Sequence, residues 1–454
     1  MWGGTPGGHK YRFFIAWLAL IGWHVGQLVL SGFLYVPPLP DGDGPDYESI
    51  GYSLSRGEGF QFAWQDREWQ QPYRDSGKGS QYTQFGRTDW PGPTASRPPW
   101  LPWVIGLVYR VVPRGPLAFA TVRLLGAVCM ATAGAIAVWL AYRIAQRWYP
   151  KSVYADVAAT VAFLFAILDR TIRTYNHDFL TEPWAMLWVM VIVAIALEWC
   201  PVSSTRWPDV GIGAVLGCLL LTRSIAVFWL PGVVLLAAWS ARIAGRNAPW
   251  RSGAMVFVAA LVVVCPWWIR NMSVLDAWMP LGGQGAASLR GGYCDEALQD
   301  WGNWHGDAEN RIQAALDREP GSGEWTQAKR EVALAERATA ETAGWVREHL
   351  GDMPTLMLQR IGTHWGPYSG AMLAFRFAVW VGWGGLLLGK RPEGVWLLGL
   401  PLLSTIVVAG LYETGGRFLI PLAPLLYLDG AIGITASIHR IVRSIHLGRR
   451  ANSL

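Results

Sequence analysis

Long apolar runs alternate with polar segments along the chain. The runs lie near 12–35, 117–143, 153–169, 178–199, 208–222, 224–243, 252–270, 371–389, 393–411 and 417–439. A helix needs about 20 apolar residues to cross roughly 30 Å of hydrocarbon. The pattern therefore predicts about ten transmembrane spans, some of them short. A further apolar stretch, 99–112, is too short to cross and opens among Pro98, Pro99 and Pro102. It is expected to lie at the interface or to re-enter. The first run follows His9, Lys10 and Arg12 and has no small-residue cleavage site, so it reads as an uncleaved span rather than a signal peptide.

Two polar stretches interrupt the spans. The organisation predicted is a first span (1–35), an outer loop with an acidic motif and an interfacial helix (36–116), transmembrane helices (117–270), a large and partly helical outer loop (271–370), and C-terminal helices with a basic tail (371–454). In the second loop Ala333, Ala335, Ala338, Ala340, Trp345 and Val346 recur among charges, which predicts an amphipathic helix. The fold class is all-α: a polytopic helical bundle in a membrane.

Charge orients this bundle. With the N-terminus inside, the inner segments carry Arg143, Arg147 and Lys151; Arg206; Arg242, Arg246 and Arg251; Lys390 and Arg391; and the basic tail. That is a positive-inside arrangement. A full crossing by 99–112 would invert it downstream. The acidic loop, the 170–177 turn and the 271–370 loop then face outward.

Composition agrees. Hydrophobic types make up 52% of the 454 residues and charged types 15%, against about 25% charged in soluble domains. The 28 tryptophans suit an aromatic belt at the membrane boundary. The net charge of +6 is carried by the inner segments, and the run His439, Arg440, Arg443, Arg449 and Arg450 reads as a topology anchor, not a nucleic-acid patch. The five cysteines show no paired spacing, so neither a disulfide framework nor a metal site is expected.

Six arginines depart from the inner pattern. Arg97, Arg123, Arg223, Arg270, Arg376 and Arg417 fall at outward ends of spans. Arginine at membrane depth is costly unless it faces a cavity or pairs with an anion. Acids gather on the same side: Asp41, Asp43, Asp46 and Glu48, then Asp178 and Glu182. Together they predict an outward cavity that holds an anion, with guanidinium forks suited to phosphate. The segment Asp41-Gly-Asp-Gly-Pro-Asp-Tyr47 is a loop and lacks the spacing of an EF-hand. It is either a base or metal-binding element of DxD type or a polar turn.

The order of motifs resembles the GT-C superfamily of membrane glycosyltransferases, most of all the bacterial branch related to protein O-mannosyltransferases and lipid A aminoarabinose transferases. The resemblance rests on Gly42-Asp-Gly-Pro-Asp-Tyr47, Leu54-Ser-Arg-Gly-Glu-Gly-Phe60, Arg97-Pro-Pro-Trp-Leu-Pro102, Leu180-Thr-Glu-Pro183, Leu221-Thr-Arg-Ser224, Pro266-Trp-Trp-Ile-Arg-Asn271 and Gly415-Gly-Arg-Phe-Leu-Ile-Pro421. It implies a catalytic acid at Asp43, with Asp46 as close competitor, and a second acid at Glu182. It implies substrate binding by Tyr47, Arg97, Asp178, Arg270 and Arg417. Ser96 stands where the aminoarabinose enzymes carry an acid, which removes the basis for assigning that sugar.

The reaction so implied is transfer of a sugar from a polyprenyl-phosphate donor to a hydroxyl of a glycan, lipid or protein acceptor. It takes place at the outer face of a plasma membrane, with inversion. No cofactor is required; a divalent metal is possible but not implied. The rival readings are a transporter or flippase for an anionic or lipid-linked substrate and a non-catalytic scaffold that binds a lipid-linked glycan. The Gly-rich segment 282–292 reads as a flexible lid or a plain linker.

Overall fold

The computed structural model describes residues 8–40, 42–86, 90–149, 151–169, 171–200, 205–366, 376, 378–380, 382–384, 393–411 and 417–451. Asp41, most of the 371–389 run, and Lys390–Arg391 lie outside the described residues. Among the described residues all regular structure is helical.

A first helix, α1 (Gly8–Leu30), leads into an outer lobe of α2 (Gly44–Ser55), α3 (Arg67–Asp75) and α4 (Trp100–Val111). The bundle follows: α5 (Pro116–Trp148), α6 (Ser152–Leu168), a short α7 (Thr171–Thr174), α8 (Glu182–Ala194), α9 (Trp207–Thr222), α10 (Leu230–Ile243) and α11 (Trp250–Leu275). A second outer lobe holds α12 (Gln284–Gly292), α13 (Asp295–Gln299), α14 (Gly306–Leu316), α15 (Gln327–Glu348) and α16 (Met353–Trp365). The bundle resumes with α17 (Gly394–Leu411) and closes with α18 (Ala423–Ala451).

Six segments are long and apolar enough to cross a membrane: Tyr11–Leu30, Pro116–Trp148, Glu182–Trp199, Ser224–Ile243, Trp250–Leu275 and Arg417–His446. The helices Ser152–Leu168, Trp207–Thr222 and Gly394–Val407 are apolar but shorter. The chain is a multi-pass helical membrane protein. Helix α4 has 12 residues and packs on α2 and α5, beside the bundle rather than through it.

The central helices are α5 and α18, whose apolar stretches are mostly buried; α1, α10 and α11 keep apolar faces outward. Membrane helices pack through small residues that let backbones approach. Gly213 and Gly217 do this between α9 and α11: a Cβ on Gly213 would lie 2.3 Å from Val256 O, and one on Gly217 would lie 2.5 Å from Val263 Cβ.

One buried acid fixes the first outer lobe. Glu48 of α2 is fully buried and accepts from Tyr73 Oη (2.7 Å), Tyr109 Oη (2.8 Å), Arg114 Nε (2.6 Å) and Trp69 Nε1. These donors come from α3, from α4 and from the turn before α5. Four donors satisfy a carboxylate that would otherwise be costly to bury. The result sets the direction of α2, whose first turn carries the acidic motif.

The Gly-rich segment is a correction to the sequence reading. It forms the helix α12, not a plain linker. Gly282, with φ +80°, takes the left-handed turn that leads into it, and a Cβ there would lie 1.9 Å from Ala95 O. Gly283 and Gly291 press on Glu331 and Trp304 in the same way. Gly282, Gly283 and Gly291 allow this close packing.

Candidate active site

Asp43 caps the N-terminus of α2, followed at once by Gly44 and Pro45. Pro is favoured in a first helical turn because its missing N–H is not needed there. The turn aims Asp43 at the space between the outer ends of α8 and α18. Its Oδ1 lies 2.9 Å from Arg97 Nη1 and its Oδ2 2.9 Å from Arg417 Nη1. Asp46, one turn on, holds the other prong of Arg97 at 2.5 Å and accepts from Gln84 Nε2 at 3.3 Å. Arg97 also lies over the Tyr47 ring, 5.5 Å from its centroid.

Glu182 opens α8 and is fully buried. Its Oε1 meets Arg223 Nη1 at 2.7 Å and is also bonded by Arg417 Nε. Arg417 therefore bridges Asp43 and Glu182. Arg223 also reaches Thr181 Oγ1 (3.4 Å) and lies over the Phe418 ring. Three acids and three arginines form one continuous cluster.

The cluster borders a cavity of about 400 Å³. Asp43, Tyr47, Arg223 and Arg417 line it on one side, and Trp278, Met279, Leu281, Gln284 and Ser288 on the other. Phe228 and Phe418 add apolar wall. Gln284, with its amide nitrogen toward Ser96 O (2.7 Å), accepts from Arg97 Nη1. The first turn of α12 thus touches the guanidinium that holds Asp43.

The electrostatics follow from this geometry. Burial pushes the Asp43 carboxyl up, but Arg97 and Arg417 outweigh it and hold the group well below the usual carboxylate range. Burial pulls the Arg97 guanidinium down, and Asp43 with Asp46 more than restore it. Tyr47 is pushed up to about 12 by burial and by Asp43.

The structure sorts the residues singled out in the sequence. Asp43, Asp46, Tyr47, Arg97, Glu182 and Arg417 come together. Asp178 stands behind the motif, where its Oδ1 accepts from the backbone N–H groups of Leu39 (3.1 Å) and Phe179 (2.8 Å). Burial pushes it up to about 6, against the pull of the Phe179 N–H and Arg123.

Arg270 does not join the cluster. It donates to Thr94 O (2.6 Å) and Phe60 O (3.5 Å) and lies over Trp267. The shared site expected for six arginines is therefore a site of three. Arg123 donates to His177 O (3.0 Å) and Val36 O (2.6 Å), and Arg376 to Gly366 O. A guanidinium has five donors in a fork, so converging carbonyls hold it as well as an anion does. Arg223, in the sequence only one of six outward arginines and part of Leu221-Thr-Arg-Ser224, joins the cluster through Glu182. Its signal was its neighbour: Thr222 ends α9, so Arg223 leaves the helix at the cavity.

The segment that delivers Arg97 is held by the second outer lobe. Glu331 of α15 accepts from Ala95 N (2.9 Å) and Thr94 Oγ1, and Gln327 donates to it at 2.8 Å. Arg270 takes Thr94 O from the bundle side.

No family model and no curated protein matches the chain. Solved structures do. The oligosaccharyltransferase AglB from Archaeoglobus fulgidus, in complex with an inhibitory peptide and a dolichol-phosphate, matches at TM-score 0.53 and 13% identity over 98% of this chain and 52% of its own. The Archaeoglobus fulgidus oligosaccharyltransferase in complex with Zn and sulfate gives 0.52 and 13% over 95% and 49%. ArnT from Cupriavidus metallidurans bound to undecaprenyl phosphate aligns over 95% of this chain and 77% of its own, at 14% identity and TM-score 0.37. The chain spans about half the length of these oligosaccharyltransferases and shares their fold.

Proposed function

We propose that the chain is a glycosyltransferase that moves a sugar from a polyprenyl-phosphate donor to an acceptor hydroxyl, at the outer face of a plasma membrane. The observation that carries this reading is Asp43, bridged by Arg97 and Arg417 at the wall of the cavity. The AglB structure, in complex with a dolichol-phosphate, supports a lipid carrier of this class.

The acceptor oxygen attacks the anomeric carbon, and the bond from that carbon to the phosphate oxygen breaks. The polyprenyl phosphate leaves with the electron pair, with inversion at the anomeric centre. Asp43 takes the proton of the attacking hydroxyl. Arg97, Arg223 and Arg417 stabilise the phosphate, because fixed charges in a dry site act where charge develops. Asp43 is a weak base while two guanidiniums hold it. A bound phosphate competes for those guanidiniums, so donor binding itself raises the basicity of Asp43.

Asp46 takes a different part. It is more deeply buried than Asp43, does not line the cavity, and holds Arg97 by the second prong. It is a positioning residue. Divalent metal chemistry fits this set poorly: a cation among Asp43, Asp46 and Glu182 would meet three guanidiniums already bonded to them. No step is routed through a metal.

The test is to incubate purified protein in lipid discs with a panel of polyprenyl-phosphate sugars and acceptors. Release of polyprenyl phosphate by the native chain, lost in Asp43→Asn, is the expected outcome. Movement of intact donor across the membrane without cleavage would replace this reading with a flippase.

A further inference from the structure

A second cavity, larger than the one at the candidate site, lies at the other end of the bundle. It measures about 580 Å³ and opens where α5, α8 and α10 finish and where α9 and α17 begin. Nothing in the proposed reaction uses it. We infer that it is the seat of a resident zwitterionic phospholipid, bound by a headgroup of the phosphoethanolamine class.

Charge decides the class of headgroup. Arg143, Arg147 and Arg246 line the cavity, and so do Glu198, Asp209 and Glu393. Among the described lining residues, three positive and three negative groups balance. Most are already paired: Arg143 with Glu198 at 3.0 Å, Arg147 with the other oxygen of Glu198, and Arg246 with Asp209 at 3.1 Å. A simple anion would find its guanidiniums engaged and Glu393 facing it; a simple cation would find the arginines. A ligand with both charges meets neither penalty.

Unused hydrogen-bonding atoms define the two poles. Arg147 Nε and Trp396 Nε1 are buried donors without a partner among the described residues, and Glu393 Oε2 is a buried acceptor without one. Such groups are costly unless a ligand or water completes them. Trp396 is 1% exposed, so its indole is fixed in the wall. A phosphate accepts from the two donors, and an ammonium donates to Glu393.

Two further observations point to a lipid and away from a soluble zwitterion. The remaining wall is apolar, with Leu197, Ile212 and Ala237, and it runs out to Ile243, which is 48% exposed. The same end of the bundle carries exposed Trp199, Trp207, Trp239 and Trp250. Indoles collect at headgroup level, so this rim puts the cavity at the depth of lipid phosphates, with acyl chains leaving past Ile243.

The experiment is native mass spectrometry of the full chain, purified in detergent and titrated with phosphatidylethanolamine, phosphatidylglycerol and soluble O-phosphoethanolamine. One phosphatidylethanolamine bound per chain, resisting exchange with phosphatidylglycerol, is expected. Glu393→Gln should lower its retention by about tenfold, and Trp396→Phe, which removes the indole N–H but keeps an aromatic ring, should lower it by a few-fold. Both variants are checked by thermal unfolding; if Glu393→Gln fails to fold, Trp396→Phe carries the test. Equal binding of the two lipids, unchanged in both variants, would mean annular lipid only and overturns the proposal. Displacement by O-phosphoethanolamine alone would overturn its lipid part. These readouts need no sugar transfer, so the outcome stands apart from that of the proposed reaction.

Discussion

Helix α2 carries two acid clusters, and they differ in one respect. Glu48 is sealed: its oxygens accept from four protein donors, and it lines no cavity of the site. Asp43, at the start of the same helix, is held by two arginines but opens on the cavity. The sealed cluster can only hold the lobe together. The open one can exchange a partner. Burial of a charge is therefore not the mark of function here; unfinished enclosure is.

The largest expected effect tests the open cluster. Asp43→Asn keeps the shape but removes the base, and transfer per folded molecule should fall by about 10²–10⁴-fold; Tm should fall as well, because Arg97 and Arg417 favour the ionised Asp43 in the fold. Activity within a few-fold of native would erase the distinction between the two clusters. Glu48→Gln tests the sealed one. It leaves Arg114 buried beside a neutral amide, and breaking such a pair costs about 3–5 kcal/mol. A lowered Tm is expected, with no specific loss in turnover per folded molecule.

Arg270→Gln sharpens the comparison further. Its guanidinium ties backbone carbonyls, so the loss should be about 1.5–3 kcal/mol of stability, with little change in donor affinity. A donor-binding defect with full stability would return Arg270 to the phosphate site. The smallest effect concerns Asp178. Its folded value of about 6 lies above the ordinary value of 3.8, so the stability it contributes is present below about pH 4 and lost as pH rises toward 6. Asp178→Asn should remove a slope of at most about 1.4 kcal/mol per pH unit from unfolding curves over that window.

The spans and the gathering of acids and arginines at one end were legible because they depend on local composition. Which arginine goes where was not. Arg97, Arg123 and Arg270 look alike in sequence, yet each has a long stem and five donors, and its end point depends on elements far away. Asp43 and Asp46 are one helical turn apart and both hold Arg97, yet in the fold only the first also lines the cavity and meets Arg417. The 282–292 segment misled because glycine signals freedom in isolation. Here its bare Cα is what lets α12 approach Ala95, Glu331 and Trp304.

The clasp on Arg97 has a consequence for how the protein is made. Ala95 meets Glu331 across 236 positions of sequence, and Glu182 meets Arg417 across 235. Contacts so distant form late, after the intervening chain is in place. During synthesis the acidic motif emerges early, but its contacts wait for the second outer lobe and for Arg417. A chain inserted only as far as α17 therefore carries Asp43 without Arg417, and in the proposed reaction the base would precede part of its phosphate grip.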